Sequence, residues 1–419
     1  MSEQTKLILK IIGFIAIVIV LAWGIWAVFF RSPGASVVPY FGGQKTAGGG
    51  FPAVEVGPSG KVVDIGADVP VSLVPEQSAP PVEEKTPDAV ASGGRTRADT
   101  ITQSRAEYYT STANGFNYYN LAEERFYRIS RNGGEPVLLA GGKFPQVSDV
   151  AWSNSGDAGI LSFPDGSNIY YNFATGERAT LPPEAREFTF SPNDKQIAYE
   201  YMGQGVDDRW VVVAGANGEG RRVVQPIGRE ALNIKVDWSP NNQVVATYRE
   251  PTSSLGEEVF LIGFSGENFL SLQTNGLGFE GKWSPKGKQI LYSVYSEGTN
   301  YNPILHISGA EGDNVGLGNR SLRVQTWPDK CAFAGENTIY CAVPQLLEQG
   351  SGLFRELADA SPDTIYKIDL VNNTSFPIAF PETENRNSFT IKRMSVSADQ
   401  SELFFTDQID GRIHRIRLR

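Results

Sequence analysis

Three regimes of hydrophobic patterning follow one another along the chain. Ile11 to Phe30 is a run of twenty residues without a charge, IIGFIAIVIVLAWGIWAVFF. At about 1.5 Å per residue a helix of this length crosses ~30 Å of hydrocarbon, so the run predicts a transmembrane α-helix. Residues 31–105 lose all sustained apolar periodicity. Pro recurs through them and Gly clusters at Gly48–Gly50 and Gly93–Gly94. Such a stretch buries too little surface to offset the entropy of ordering it, and it predicts a flexible, mostly disordered linker. Residues 106–419 then alternate apolar and polar positions in short runs, with turn residues every 8–12 positions, the pattern of an all-β domain.

The third regime repeats. An aromatic, Ser, Pro, a polar turn and an apolar strand read FSPNDKQIAYEY from Phe190, WSPNNQVVATYRE from Trp238 and WSPKGKQILYSVY from Trp283. Weaker copies surround Trp152, Phe333 and Val396. The anchors Trp152, Phe190, Trp238, Trp283, Phe333 and Val396 are spaced by 38, 48, 45, 50 and 63 residues. That is the period of a four-stranded propeller blade. Pro presets φ at the second turn position and Asn, Asp or Gly tolerates the positions after it. The aromatic before Ser-Pro is expected to pack between blades. Trp327-Pro328-Asp329-Lys330 mimics the anchor, but the following CAFAGENTIYCAV fits the two-strand pattern better. GFNYYNLAEERFYRISRNGGEPVLL, before the first anchor, reads as the last three strands of a blade, and the final copy has three strands. The expectation is a β-propeller of seven four-stranded blades whose termini meet to close the ring, with six blades as the alternative.

WSPNNQVVATY and WSPKGKQILYS resemble the repeats of TolB-like, WD-repeat-like bacterial propellers, which also occur in prolyl-oligopeptidase-like enzymes. The resemblance spans about Phe116 to Leu418. It specifies a fold more than a function, because propellers host many activities. It implies a domain that binds protein partners.

Charge and composition narrow the chemistry. A net charge of −10 argues against a nucleic-acid partner. Two His, His306 and His414, and two Cys leave no set for a multi-His metal site, a zinc ribbon or an iron–sulfur cluster. No metal or other cofactor is expected. No Gly-x-Ser-x-Gly elbow and no P-loop occurs, so no catalytic residue is assigned. Lys6 and Lys10 before the apolar run against Arg31 after it favour a cytoplasmic N-terminus of residues 1–10. The rest then lies outside the cytoplasmic membrane, held by residues 11–30. A cleaved signal peptide is the rival, but bulky Val28, Phe29 and Phe30 end the run where small residues should stand.

Two further expectations come from spacing. In CAFAGENTIYCAV, a hairpin turning at Gly335–Asn337 sets Cys331 opposite Cys341, within disulfide reach. In a propeller, the loops joining second and third strands share one rim with the blade-to-blade links. Those loops are long at about Met202–Arg209, Glu250–Glu257, Tyr295–Asn302 and Pro344–Asp363. The last of these carries an apolar set suited to a helical turn or two. Elaborated loops on a rigid scaffold are where binding resides. Asp208, Arg209, Arg249, Glu250, Tyr295, Tyr301, Phe354 and Arg355 are therefore the candidate binding residues. The functional expectation is a membrane-anchored, non-catalytic scaffold for a protein or cell-envelope polymer. The alternative is an envelope hydrolase or lyase acting on glycan or peptide, which would need paired carboxylates about 5–9 Å apart in the funnel.

Overall fold

A computed structural model describes residues 86–419. The apolar run 11–30 and most of the linker lie outside the described residues. Among the described residues no helix is long and apolar enough to cross a membrane.

The described chain is a seven-bladed β-propeller, one antiparallel sheet of four strands per blade with additions noted below. Blade 1 runs through Glu107–Thr112, Gly115–Asn120, Arg125–Ser130 and Val137–Leu138. Blade 2 begins at Asp149–Trp152, blade 3 at Ala185–Phe190, blade 4 at Ile234–Val236 and blade 5 at Leu277–Trp283. Blade 6 begins at Cys331–Phe333 and blade 7 at Ile391–Val396. These first strands are the innermost ones. Each copy of the repeat pairs its strands in sequence order, inner to outer, which is why a simple meander reads out as one blade.

Blade 1 is complete. Its inner strand Glu107–Thr112 lacks the aromatic-Ser-Pro anchor and turns through Ala113–Asn114 into Gly115. Blade 7 takes its outer strand from the other end of the chain: Asp99–Thr100 pairs antiparallel with His414–Arg415. Arg415 fastens this join, 2.8 Å from Asp99 and 3.0 Å from Glu402. Just before it, Gly94–Arg97 adds a fifth, parallel strand to blade 6 along Ala379–Glu382. Both strands fall inside the stretch 31–105 read as linker, so the ordered domain begins earlier than residue 106. They escape a reading by periodicity because backbone pairing to a sheet edge needs no apolar alternation, and only Thr96 of Gly94–Arg97 is buried.

The core is divided among the blade interfaces. Separate apolar clusters fill the gaps around the ring, for example Val244, Val259 and Leu261 of blade 4 against Phe279, Trp283 and Tyr292 of blade 5. At the closure, Phe116 of blade 1 meets Phe404 of blade 7 edge to face at 4.8 Å. Phe190, Trp238 and Trp283 are buried in such clusters, and Trp152 stacks on Phe173. The Ser of the motif closes the turn from beneath. Ser153, Ser191, Ser239, Ser284 and Ser397 each accept the backbone N–H five residues on, at 2.9–3.2 Å. Asp194, Asn242 and Gly287 take the left-handed position of those turns, at φ of about 60 to 67°.

Candidate functional site: a charged funnel under an elaborated rim

Four antiparallel strands per blade put the second-to-third loops and the blade links on one rim. That rim is the irregular one. In blade 3 a 3-10 turn, Val206–Asp208, precedes the third strand at Arg209. In blade 5 the loop holds Glu297–Thr299, capped by Ser296. In blade 6 residues 345–362 form the longest excursion, with the single short 3-10 helix Arg355–Ala358. The blade 4 segment is not a loop: Val244–Ser253 and Gly256–Gly263 stay paired to Ser253 and Gly256, a hairpin that projects from the rim. Its length reads as a loop in the sequence, yet Pro251 sits opposite Glu257 inside the hairpin.

The blade 6 excursion is zipped to the blade 5 loop. Gly350 N–H donates to Asn300 O at 3.0 Å, Gly352 N–H to Tyr301 O at 2.8 Å and Ser351 N–H to Asn302 Oδ1 at 3.2 Å. Gly352 lies so close that a Cβ there would meet Tyr295 Cβ and Tyr301 O at 2.7 Å. Large apolar side chains stand exposed on this rim: Leu232 (90%), Leu255 (71%), Leu346 (71%) and Phe354 (62%).

Beneath the rim the inner strands enclose a cavity of about 530 Å³. Glu187, Lys235, Asp237, Arg249, Glu280, Asp329 and Arg393 line it. A second, overlapping space adds Thr189, Lys282 and Ser395. A recurring backbone device aims these groups. The inner strands of blades 1, 3, 5 and 7 each carry a register shift near the mouth, at Glu107/Thr110, Arg186/Thr189, Leu277/Glu280 and Ile391/Arg393. Bulges redirect side chains in this way. Tyr108 and Glu187 hold left-handed backbone there, at φ 47° and 51°.

The funnel's charges are tuned by burial and by each other. Burial pushes Asp237 up to about 7, while Lys235 and Lys282 pull it back. Burial pushes Lys282 down to about 8; Asp329 and Asp237 oppose this and Arg393 reinforces it. The Lys282 ammonium donates to Cys331 O at 2.5 Å. Glu280 is raised by burial and by Asp329, with Arg355 pulling against them. Behind the wall, Glu200 is pushed up to about 7 by burial and by Glu187, and its Oε1 has no hydrogen-bond partner among the described residues. An acid raised by burial and a base lowered by it thus line one space, surroundings of the kind in which functional groups are tuned.

Of the eight candidate residues, two reach this funnel. Arg249 lines it, 4.0 Å from Glu257. Arg355 reaches in from the blade 6 excursion, gripping Asp329 through two contacts of 2.6 and 2.8 Å and Glu280 at 3.8 Å, with its guanidinium over Trp327. Tyr295 is half-buried against Gly278 and Gly352. Asp208, Tyr301 and Phe354 are exposed on the rim, Arg209 lies beside Gly228, and Glu250 faces an outer groove. Lys235, Asp237, Glu280, Lys282, Asp329 and Arg393 were not among the candidates. Their signal is positional: Asp237 and Lys282 directly precede anchor aromatics, and Lys235 and Glu280 stand two residues earlier. Strand alternation turns both positions to the face opposite the aromatic.

His306 and His414 are strand residues packed on rings, His306 on Tyr292 and His414 on Phe405. The hairpin register sets Cys331 opposite Cys341, with Cα atoms 4.0 Å apart and the sulfurs joined. Trp327–Lys330 forms the turn into the blade 6 inner strand, and buried Lys330 pairs with buried Asp363 at 2.8 Å.

No protein family and no curated protein matches the chain by sequence. Solved structures do resemble it. The β-propeller domain of Myceliophteria thermophila Cps50 (Swd1) is 10% identical over 77% of this chain and 100% of that one, with a TM-score of 0.50. An oligogalacturonate lyase in complex with manganese is 12% identical over 77% and 93%, with a TM-score of 0.51. TolB from Acinetobacter baumannii is 12% identical over 66% and 64%, with a TM-score of 0.42. At these identities the chain has in common with its neighbours a fold, the β-propeller, and no more.

Proposed function

We propose that the chain is a binding scaffold, held to the outer side of the cytoplasmic membrane by residues 11–30, that captures a protein or cell-envelope polymer on its elaborated rim. The observation that carries this reading is the concentration of unlike features on one rim. The projecting hairpin, the joined blade 5 and 6 loops and the exposed Leu232, Leu255 and Phe354 surround the mouth of the charged funnel. A partner would seat apolar groups on the rim and polar groups in the mouth, the division found in protein interfaces. The joined cysteines support the placement, since an oxidising compartment permits such a bond.

The test is capture from envelope extract by the detergent-solubilised full chain. Replacing residues 345–362 by a four-residue turn should leave a cooperative melt and weaken capture. Capture that survives both this deletion and alanine at Arg249, Tyr301 and Leu255 refutes the site. Protease added to intact spheroplasts should degrade or release the propeller. Full protection with an accessible outer face refutes the placement. Two free thiols in freshly isolated protein would remove the support drawn from the cysteines.

One observation favours the enzymatic alternative, a hydrolase or lyase. Glu280 and Asp329 are held by one guanidinium, so two carboxylates do share the funnel mouth. Glycan or peptide cleavage lost in Glu280→Gln with capture retained would establish it.

A further inference from the structure

A second cavity, of about 550 Å³, lies on the perimeter between blades 3 and 4. It exists because the outer strand of blade 4 is short. Leu272–Gln273 pairs only with Glu258 and Val259, and beyond them a lone bridge joins Ile262 to Asn268. The third strand is thus largely uncovered at Phe260–Leu261.

The face it shows to blade 3 has an unusual order. Tyr248 and Phe260 are cross-strand partners with stacked rings, 5.8 Å apart and tilted by 21°. Next to them on the same face, Glu250 stands directly opposite Glu258. Like charges so placed repel. Ser271 donates to Glu258, but Glu250 is exposed and, among the described residues, has no hydrogen-bond or ion-pair partner. Glu230, from the blade link, lines the same space, as does Glu267. Among the described residues no lysine or arginine lines it. The Tyr248 hydroxyl is raised by burial, then by Glu250 and Glu230, so both carboxylates bear on the ring pair.

Aromatic faces beside unneutralised carboxylates are the surroundings that favour an organic cation. An uncovered strand edge next to them offers main-chain hydrogen bonds to an extended peptide. We propose that this groove binds an arginine or lysine side chain of a protein partner, its alkyl stem against Tyr248 and Phe260 and its cationic head on Glu250 and Glu230. The site is separate from the funnel and does not depend on the function proposed for the rim.

The test uses the full chain and a blocked tripeptide Leu-Arg-Leu, titrated calorimetrically beside the same peptide carrying citrulline, which has the arginine shape without its charge. The arginine peptide should bind about tenfold more tightly. The double variant Glu230→Gln, Glu250→Gln should erase that preference while raising the melting temperature of the unliganded protein, because Glu258 then no longer faces a like charge. Tyr248→Leu, which keeps an apolar side chain, should weaken the arginine peptide about threefold or more. Equal affinity for the two peptides overturns the proposal. So does a preference that survives the double variant.

Discussion

The two rims of the propeller are built on different principles. On the turn rim, one geometry recurs in five blades: a buried Ser accepts the N–H that opens the next strand. Neighbouring turns also interlock. Asp194 of blade 3 accepts from Asn154 and Ser155 of blade 2, and Glu336 of blade 6 from Ser284 and Lys286 of blade 5. On the loop rim the inner-strand bulges recur in four blades, but no loop arrangement repeats. Lengths differ, charges cluster at the funnel, and large apolar side chains face water. Repetition serves closure of the ring, which every blade needs equally. The features that do not repeat are those the ring does not require, and under the function proposed above they are the ones that would meet a partner.

That contrast breaks most visibly at Asp363. It stands at the end of the blade 6 excursion, yet its carboxylate is fully buried, receives Lys330 at 2.8 Å through both oxygens and takes Ile391 N–H at 2.6 Å. Burial raises it and Lys330 pulls it back. Asp363→Ala leaves a buried ammonium alone and should cost about 3–5 kcal/mol, read from urea unfolding. A loss below about 1 kcal/mol would show that water reaches the pair and that this part of the loop rim is not structural.

Asp237 sharpens the contrast by a change of slope. Its carboxyl titrates at about 7 in the fold against an ordinary 3.8. Below pH 4 both folded and unfolded states hold the proton. Between pH 4 and 7 the unfolded chain has lost it and the fold has kept it, so stability falls as pH rises. Lys282, pushed down to about 8, acts oppositely and higher, losing stability as pH falls from its ordinary 10.5 towards 8. Asp237→Asn should therefore flatten the fall in melting temperature between pH 4 and 7, leaving contributions of the same sign from Glu200, Glu280 and Asp363. An unchanged profile would mean that Asp237 is solvated like any surface carboxylate.

The same division explains what was legible in the sequence. Aromatic-Ser-Pro anchors, strand alternation and the 38- to 63-residue spacing reveal seven blades and closure by the chain ends, because turn chemistry and core packing write themselves into every copy. The inner strand Glu107–Thr112 stayed hidden, since a tight turn at Ala113–Asn114 replaces the anchor. Strands Gly94–Arg97 and Asp99–Thr100 were invisible because pairing along an edge uses backbone alone. The funnel was half-legible. Lys235, Asp237, Glu280 and Lys282 hold fixed offsets from their anchors, but the bulges beside Glu187, Glu280 and Arg393 leave no mark on periodicity. Arg355 was singled out from loop length, while its reach to Glu280 and Asp329 depends on how the excursion folds back.

The last two tests compare one local contact from each rim. Gly352→Ala places a Cβ 2.7 Å from both Tyr295 Cβ and Tyr301 O, neither of which is a flexible tip. The blade 5 and 6 loops should part, at a cost of about 1–3 kcal/mol. Limited proteolysis should then cut within residues 345–362 while the rest of the ring stays intact. Ser239→Ala is the counterpart on the turn rim. Ser239 is fully buried, donates to Asn241 Oδ1 at 2.6 Å and accepts Val244 N–H at 2.9 Å. Val244 N–H retains no equal partner when that hydroxyl goes, so the variant should lose about 1 kcal/mol. The loss should appear in global unfolding and not as local cleavage, because the turn is part of the ring that unfolds as one. If Ser239→Ala instead opened only its own turn to protease, the turn rim would be no more cooperative than the loop rim, and the distinction between the two rims would fail.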